Sequence, residues 1–208
     1  MRLLFLVSVT IIVLILQIIA LASPGPIQQT EVSSEDYAVY DAVIDTMFAD
    51  NHVTFDFGGE VAVKLLVLVS HTDADVQISH IDAGSYDDPL KDYRGRFPSI
   101  QQQTVSDYAA KNKHSQLLKP SFNIKVKYVI VEAAEIDGGP GSEGFDKKFD
   151  GSKGYLHLSC PGFNQDHSQA LVYVSYICGG LCGHGFFVFL TKTKGEWKVA
   201  GTFESWIS

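Results

Sequence analysis

The spacing of apolar residues predicts a helix at the start of the folded part of the chain. Apolar side chains recur at helical intervals from Tyr37 to Phe48, and Ser33 or Ser34 can cap the helix N-terminus. Acidic residues follow in the first turn, where the helix dipole favours negative charge. We therefore expect an amphipathic helix that ends near Asp50.

The middle of the chain mixes strand, loop and helix patterns. Residues 61–70, VAVKLLVLVS, are apolar almost throughout, which is typical of a central strand covered on both faces. A weaker pattern predicts a strand at residues 75–81, and alternation of apolar and polar residues predicts one at residues 123–132. Residues 86–98 are rich in Asp, Pro, Gly and Arg, so we expect a loop there. A second helix is expected over residues 99–113. Its buried side would contain Ile100, Val105, Tyr108 and Ala109.

Alternation of apolar and polar residues predicts antiparallel hairpins in the final third of the chain. The expected strands span residues 155–159, 169–177, 186–193 and 197–203. Residues 186–190 are all apolar, so both faces of that strand should be buried, and the helix from Tyr37 to Phe48 is expected to cover one. Phe145 and Phe149 should share one face of a short helical turn. The chain is thus expected to form a single α+β domain in which a bent antiparallel β-sheet packs against an N-terminal helix and a second, mid-chain helix.

A long apolar run precedes this domain. It starts at Leu3, ends at Ala22, and closes in an A-x-A pattern that would place Ser23 at a mature N-terminus. Its 20 residues can also cross a bilayer, whereas the apolar core of a signal peptide has roughly 7–15 residues. A cleaved signal is favoured over an uncleaved membrane anchor. The expected organisation is a signal peptide or anchor at residues 1–22, a flexible tether at 23–33 and the α+β domain at 34–208.

The charges around this run indicate its orientation. Arg2 is the basic residue before it, while the other side carries acidic residues and no Lys or Arg before Lys64. The positive-inside rule then keeps the N-terminus in the cytoplasm. Everything after Ala22 is expected to be exported and to be periplasmic, secreted, or tethered to the membrane through the run itself.

The overall charge narrows the choice of partners. The chain has 24 Asp and Glu against 16 Lys and Arg, a formal net charge of −8. It has no basic stripe with interleaved aromatic residues, so we expect no nucleic-acid partner. The negative charge favours solubility and would suit a cationic partner. HExxH, G-x-S-x-G, P-loop and dinucleotide fingerprints are missing from the sequence, and no cofactor is expected.

The segment CGGLCGHG, residues 178–185, lies where a hairpin turn is expected, and three interpretations compete. A disulfide between Cys178 and Cys182 is favoured, because exported thiols meet an oxidising environment and the glycines let the two Cα atoms approach closely. A redox-active pair is disfavoured by the third intervening residue and by the hairpin setting. A metal site would add His184 and a fourth ligand, Cys160 or His157, at a non-standard spacing.

The remaining cysteine and histidines give weaker signals. Cys160 is left over, and we expect it to be a buried free thiol. His71 lies near Asp73 at a strand end, and His80 lies near Asp82. Capping and turn hydrogen bonds explain such pairs better than catalysis does.

A block of motifs covers about a third of the chain near its C-terminus. They are GFN at 162–164, QALVYV at 169–174, CGGLCG at 178–183, Lys192, GEWKV at 195–199 and the ending WIS at 206–208, preceded by FDKKFDGSKG at 145–154. In this block the chain resembles an uncharacterised family of exported bacterial proteins, which tend to have arginine in place of Cys160. The resemblance implies export and a bacterial source, and it assigns no activity.

The sequence therefore favours an exported, non-catalytic binding or interaction domain with a disulfide-stabilised hairpin loop. Its partner would be a protein or a small molecule. Two alternatives remain open. One is an exported, hydrolase-like enzyme with a site in the concave face of the sheet, and the other is a redox or metal protein that uses Cys178, Cys182 and His184.

Overall fold

The structure is a computed structural model that describes residues 31–48, 52–55, 59–74 and 89–208. The apolar run that ends at Ala22 and the strand expected at residues 75–81 lie outside these ranges. The helices are α1 (Ser34–Met47), α2 (Pro89–Arg96), α3 (Gln102–Lys111) and α4 (Glu143–Lys148). The strands are β1 (His52–Phe55), β2 (Gly59–Ala62), β3 (Leu66–Val69), β4 (Tyr128–Val131), β5 (Tyr155–Leu158), β6 (Gly162–Phe163), β7 (Gln169–Gly179), β8 (Cys182–Thr193) and β9 (Glu196–Ile207).

An open, mixed sheet of seven strands organises the fold. Its order is β4-β3-β5-β7-β8-β9, and β6 pairs with β7 beyond the end of β5. Strands β5, β7, β8 and β9 are antiparallel neighbours, whereas β3 runs parallel to both β4 and β5. Strands β1 and β2 form a separate antiparallel pair. The α+β fold is confirmed, and the structure adds parallel pairing to the expected antiparallel sheet.

Helix α1 forms because its first turn is capped and one of its sides is apolar. The Ser33 hydroxyl accepts a hydrogen bond from the backbone N–H of Asp36, and the Asp36 carboxylate accepts one from the Ser33 N–H at 2.7 Å. The helix packs on one sheet face, as expected. Its buried apolar side chains are Tyr37, Val39, Tyr40, Val43 and Ile44, in one continuous cluster with Leu66, Leu68, Leu156, Leu158, Val172, Val174, Val188 and Leu190.

The opposite sheet face carries two separate apolar clusters. Over β7 and β8, side chains of α2 and α3 and of the turn between them form the first cluster, with Tyr93, Phe97, Ile100, Val105 and Tyr108 packed on Leu171, Tyr173, Phe187 and Phe189. Over β3 and β4, Phe145 of α4 and Phe149 just after it form the second cluster with Val67 and Val131. The face is thus apolar at both sides and leaves a gap along β5 and β7.

Two local expectations are wrong. The loop expected at residues 86–98 contains α2, which has Pro89 at its first position, where the missing N–H costs nothing. Tyr93 of α2 and Phe97, the residue just after the helix, are four residues apart, so both reach the sheet despite the polar residues between them. Ala109 is exposed, because the buried side of α3 is formed by Thr104, Val105 and Tyr108.

The strand expected at residues 61–70 is shorter and interrupted. Strand β2 ends at Ala62 and β3 begins at Leu66, and all four residues of β3 are buried. Between them, the backbone N–H groups of Lys64 and Leu65 both donate to the Gly151 carbonyl, at 2.9 and 3.2 Å. Because these two N–H groups bond to Gly151, residues 64 and 65 do not continue strand β2, and the chain enters the seven-stranded sheet at Leu66.

Candidate functional site

The hairpin that joins β7 to β8 contains the site that the sequence predicts. Strand β7 ends at Gly179 and β8 begins at Cys182, so Gly180 and Leu181 form the connection. Cys178 and Cys182 form a disulfide with their Cα atoms 5.0 Å apart. Leu181 is 93% exposed at the tip. The predicted disulfide is confirmed, and the cross-linked turn presents an apolar side chain to solvent.

A pocket of about 310 Å³ lies beside the disulfide. Cys178 forms part of its wall, and the chain around α4 forms the rest, including Asp146, Asp150 and Lys153. The Asp146 carboxylate accepts a hydrogen bond from the backbone N–H of Gly141 at 3.2 Å, which holds it in the wall. Two carboxylates against one ammonium leave the lining with an excess of negative charge. Such a lining suits a polar or cationic group.

The two glycines after Cys182 belong to strand β8 rather than to the turn. The Trp206 ring lies against both, because a Cβ on Gly183 or on Gly185 would overlap its atoms. The Trp206 Nε1–H donates to the Tyr173 hydroxyl at 2.5 Å. The glycines therefore make room for an aromatic ring that closes the hairpin end of the sheet.

His184 is buried on the α1 side of β8. Its ring stacks on Phe186 at 5.8 Å between centroids, and its Nδ1 lies 3.2 Å from the Glu204 carboxylate. His157 follows Leu156 in β5, and Leu156 belongs to the core on the α1 side, so His157 points to the other sheet face. The structure therefore separates His184 from His157, and the disulfide already uses both sulfur atoms of the proposed metal site.

Cys160 is the free cysteine of the described chain, and it is buried, as expected. Its Sγ lies 3.4 Å from the Thr72 hydroxyl, and burial raises the pKa of the thiol. Its backbone N–H and carbonyl are both bonded by the Asn112 side-chain amide, at 2.7 and 2.8 Å. Within the described ranges, no group of three or more His, Cys, Asp and Glu is placed to hold a metal ion.

Polar side chains occupy the gap between the two clusters of the α2–α4 face. The Nδ1 atom of His157 lies 3.1 Å from the Asp73 carboxylate, and Ser175 is the residue directly opposite His157 on β7. Tyr173 precedes Ser175 by two residues, so it lies on the same face, where it belongs to the α2–α3 cluster. We name Asp73, His157 and Ser175 the polar strip.

The sequence suggests a different partner for Asp73 from the one that it contacts in the polar strip. Asp73 contacts His157 rather than its near neighbour His71, whose Nδ1 lies 2.8 Å from the Ser70 hydroxyl and 3.6 Å from Glu132. His80 and Asp82 lie outside the described residues. The polar strip joins residues that are far apart in the chain. The sequence signal that could have indicated it is Ser175, a small polar residue in a largely apolar part of strand β7.

Several residues of the C-terminal motif block hold the fold together. Lys192 Nζ and Trp197 Nε1 both donate to the Glu35 carboxylate of α1, at 2.6 and 2.7 Å. Burial alone would raise the pKa of Glu35, but these two donors outweigh it and lower the pKa. Asn164 of GFN is buried, and its Oδ1 accepts from the N–H groups of Ser168 and Gln169. These residues position elements and touch neither the hairpin pocket nor the polar strip.

Comparison with protein-family models, curated proteins and solved structures gives no match for this chain. The candidate sites therefore stand on their own geometry. None of the helices in the described ranges combines the length and hydropathy needed to cross a membrane.

Proposed function

We propose that this protein is an exported binding domain that recognises its partner with the CGGLC hairpin and the adjacent pocket. The observation that carries the proposal is Leu181, which is 93% exposed at the tip of a turn cross-linked by a disulfide. Leaving one large apolar side chain in water on a rigid turn costs free energy that contact with a partner recovers. Because the turn is already fixed, little conformational entropy is lost on binding.

Charge indicates what the partner places beside Leu181. The pocket lining carries Asp146 and Asp150 against Lys153, and the whole chain has a formal net charge of −8. A partner with a lysine or arginine side chain next to an apolar contact fits both features. The pocket volume of about 310 Å³ suits one such side chain or a small cationic molecule.

The disulfide also supports export. Structural disulfides persist in oxidising compartments and are rare in the cytosol of most cells. An apolar run from Leu3 to Ala22, ahead of the domain, supplies the export signal or the membrane tether. The partner would accordingly be met in the periplasm, outside the cell or at the membrane surface.

The test is a capture experiment with the oxidised domain and an extract of the producing cell. We expect a discrete bound protein or ligand that is lost with Leu181→Ser, because the tip contact disappears. Leu117→Ser is the matched control, since Leu117 is also an exposed leucine, at 52%, and lies away from the hairpin. Asp146→Asn should weaken the same complex. A complex that survives Leu181→Ser unchanged would refute the proposal.

A further inference from the structure

The polar strip interrupts an otherwise apolar sheet face, and the interruption has a defined chemistry. On the α1 side a single core cluster runs continuously across the sheet. On the other side the α2–α3 cluster and the α4 cluster are separate, and Asp73, His157 and Ser175 lie between them. Burying polar groups costs free energy that apolar residues at these positions would avoid. Polar groups that interrupt a packed apolar face in this way are candidates for a functional role.

The imidazole of His157 is held in one orientation. Its Nδ1 lies 3.1 Å from Asp73 Oδ1, and the two side chains are 26% and 28% exposed, so the pair is partly shielded but open to solvent. Asp73 follows β3 and lies on one side of β5, while Ser175 of β7 lies on the other. With Nδ1–H donated to Asp73, the lone pair is on Nε2. Within the described ranges Nε2 has no hydrogen-bond partner.

Tyr173 lies on the same sheet face, but its hydroxyl lies over Gly185 of β8, on the side of β7 away from β5. The hydroxyl oxygen accepts the Nε1–H of Trp206 at 2.5 Å. Burial raises the pKa of Tyr173 and the negative charge of Asp73 adds to the rise, although hydrogen bonds with Trp206, Ser205 and Ser175 oppose it. Tyr173 therefore stays protonated at neutral pH, and its hydroxyl is held among Trp206, Ser205 and Ser175. The oriented imidazole of His157 is the group that proton abstraction requires.

We propose that Asp73 and His157 form a general-base site that removes a proton from a small substrate with an acidic C–H or O–H bond. His157 Nε2 takes the proton, and Asp73 orients the ring and stabilises the imidazolium that forms. The imidazolium then releases the proton to water, so that the site returns to its starting state without any redox partner. This activity is independent of binding at the hairpin.

The test uses 5-nitrobenzisoxazole, whose ring opens when a base removes its C3 proton. The C–H electron pair becomes part of the new nitrile, the N–O bond breaks, and the oxygen leaves as a coloured phenolate. We expect the folded protein to exceed the buffer rate and His157→Gln to lower that excess on the order of 100-fold. Asp73→Asn keeps the imidazole and nearly the same side-chain shape, so this variant should fold normally. It should lose most of the excess rate, because the carboxylate that orients and stabilises the imidazolium is gone.

His114→Gln is the matched control, because His114 is an exposed histidine outside the polar strip. It should leave the rate unchanged, and all three variants should keep the wild-type circular dichroism spectrum. The proposal is overturned if the folded wild-type protein does not exceed the buffer rate, if His157→Gln matches wild type, or if His114→Gln loses as much. Leu181→Ser should retain the full rate, which separates this site from the hairpin.

Discussion

The indole Nε1–H of Trp206 donates a hydrogen bond to the Tyr173 hydroxyl at 2.5 Å, directly over the backbone of Gly185. A methyl group on Gly185 would overlap both aromatic side chains. This contact joins the last strand to β7 across β8 and closes the sheet at the hairpin end. It also explains why a glycine stands in the middle of a buried strand, where glycine is otherwise unfavourable.

Gly185→Ala should therefore destabilise the protein by about 1–3 kcal/mol, the usual cost of overpacking a filled site. Urea unfolding measures the loss, and tryptophan fluorescence should report the displaced Trp206 ring. Gly180→Ala is the matched control in the same hairpin, since a Cβ there meets nothing within 4 Å. Equal stability of the two variants would contradict the close contact.

Reduction of the Cys178–Cys182 disulfide should cost about 2 kcal/mol or less, because the bond closes a loop of only a few residues. Urea unfolding with and without a dithiol reductant measures the difference. The double variant Cys178→Ser/Cys182→Ser should show no response to the reductant. A response in that variant would locate the redox effect elsewhere. The larger consequence of reduction should be loss of partner capture, since the turn that holds Leu181 is no longer fixed.

The two hydrogen bonds to the Glu35 carboxylate should make the stability of the protein depend on pH in acid. The pKa of Glu35 in the folded protein lies below the ordinary value of 4.5, despite burial, because Lys192 and Trp197 donate to the carboxylate. The stabilisation is therefore complete above the pKa that Glu35 has in the unfolded chain. It is lost as the pH falls through the lower pKa that Glu35 has in the folded protein. Glu35→Gln should destabilise the protein at neutral pH and should flatten the pH dependence of its stability below about pH 4.5. The denaturant midpoint, measured at several pH values across that range, reports the change in stability.

The control for this experiment is Glu196→Gln. Glu196 forms an ion pair with Lys198 at 3.5 Å, but its side chain is 76% exposed. Exposed pairs contribute little to stability. If the two variants gave the same acid profile, the bonds from Lys192 and Trp197 to Glu35 could not be the source of the effect.

The final third of the fold was predictable because its residues alternate and its turns are short. Strands β7, β8 and β9 include the residues expected, and local spacing alone specifies such hairpins. Helix α2 was not predictable from composition, since two aromatic residues, Tyr93 and Phe97, supply its packing in a polar segment. The parallel pairing of β3 with β4 and β5 depends on crossover connections, which the pattern of a single strand does not encode.

The same distinction between local contacts and contacts set by topology applies to the candidate sites. The disulfide joins residues four apart, so the sequence could place it. The pairing of Asp73 with His157 depends on the neighbouring positions of β3 and β5 in the sheet, and spacing along the chain suggested His71 instead. Contacts between distant residues are set by topology, which the local pattern does not contain.

The side chain of Asn112 holds the backbone of the buried Cys160. The Asn112 amide ends α3 by donating to the Tyr108 carbonyl at 2.8 Å, and it bonds both the N–H and the carbonyl of Cys160. Asn112→Ala leaves these buried groups unsatisfied and should cost about 2–4 kcal/mol. Asn123→Ala is the control, because Asn123 is exposed and its backbone N–H bond to Asp41 survives the change.

A second measurement reports the same change at Cys160 itself. The native thiol should resist alkylation by iodoacetamide, because it is 2% exposed and burial raises its pKa. Asn112→Ala should accelerate alkylation by loosening the backbone around Cys160, and Asn123→Ala should leave the rate as it is. Because Cys178 and Cys182 are joined in a disulfide, mass spectrometry should find at most one modified cysteine in each protein. Fast alkylation of the unaltered protein would mean that Cys160 is not held in the core by Asn112.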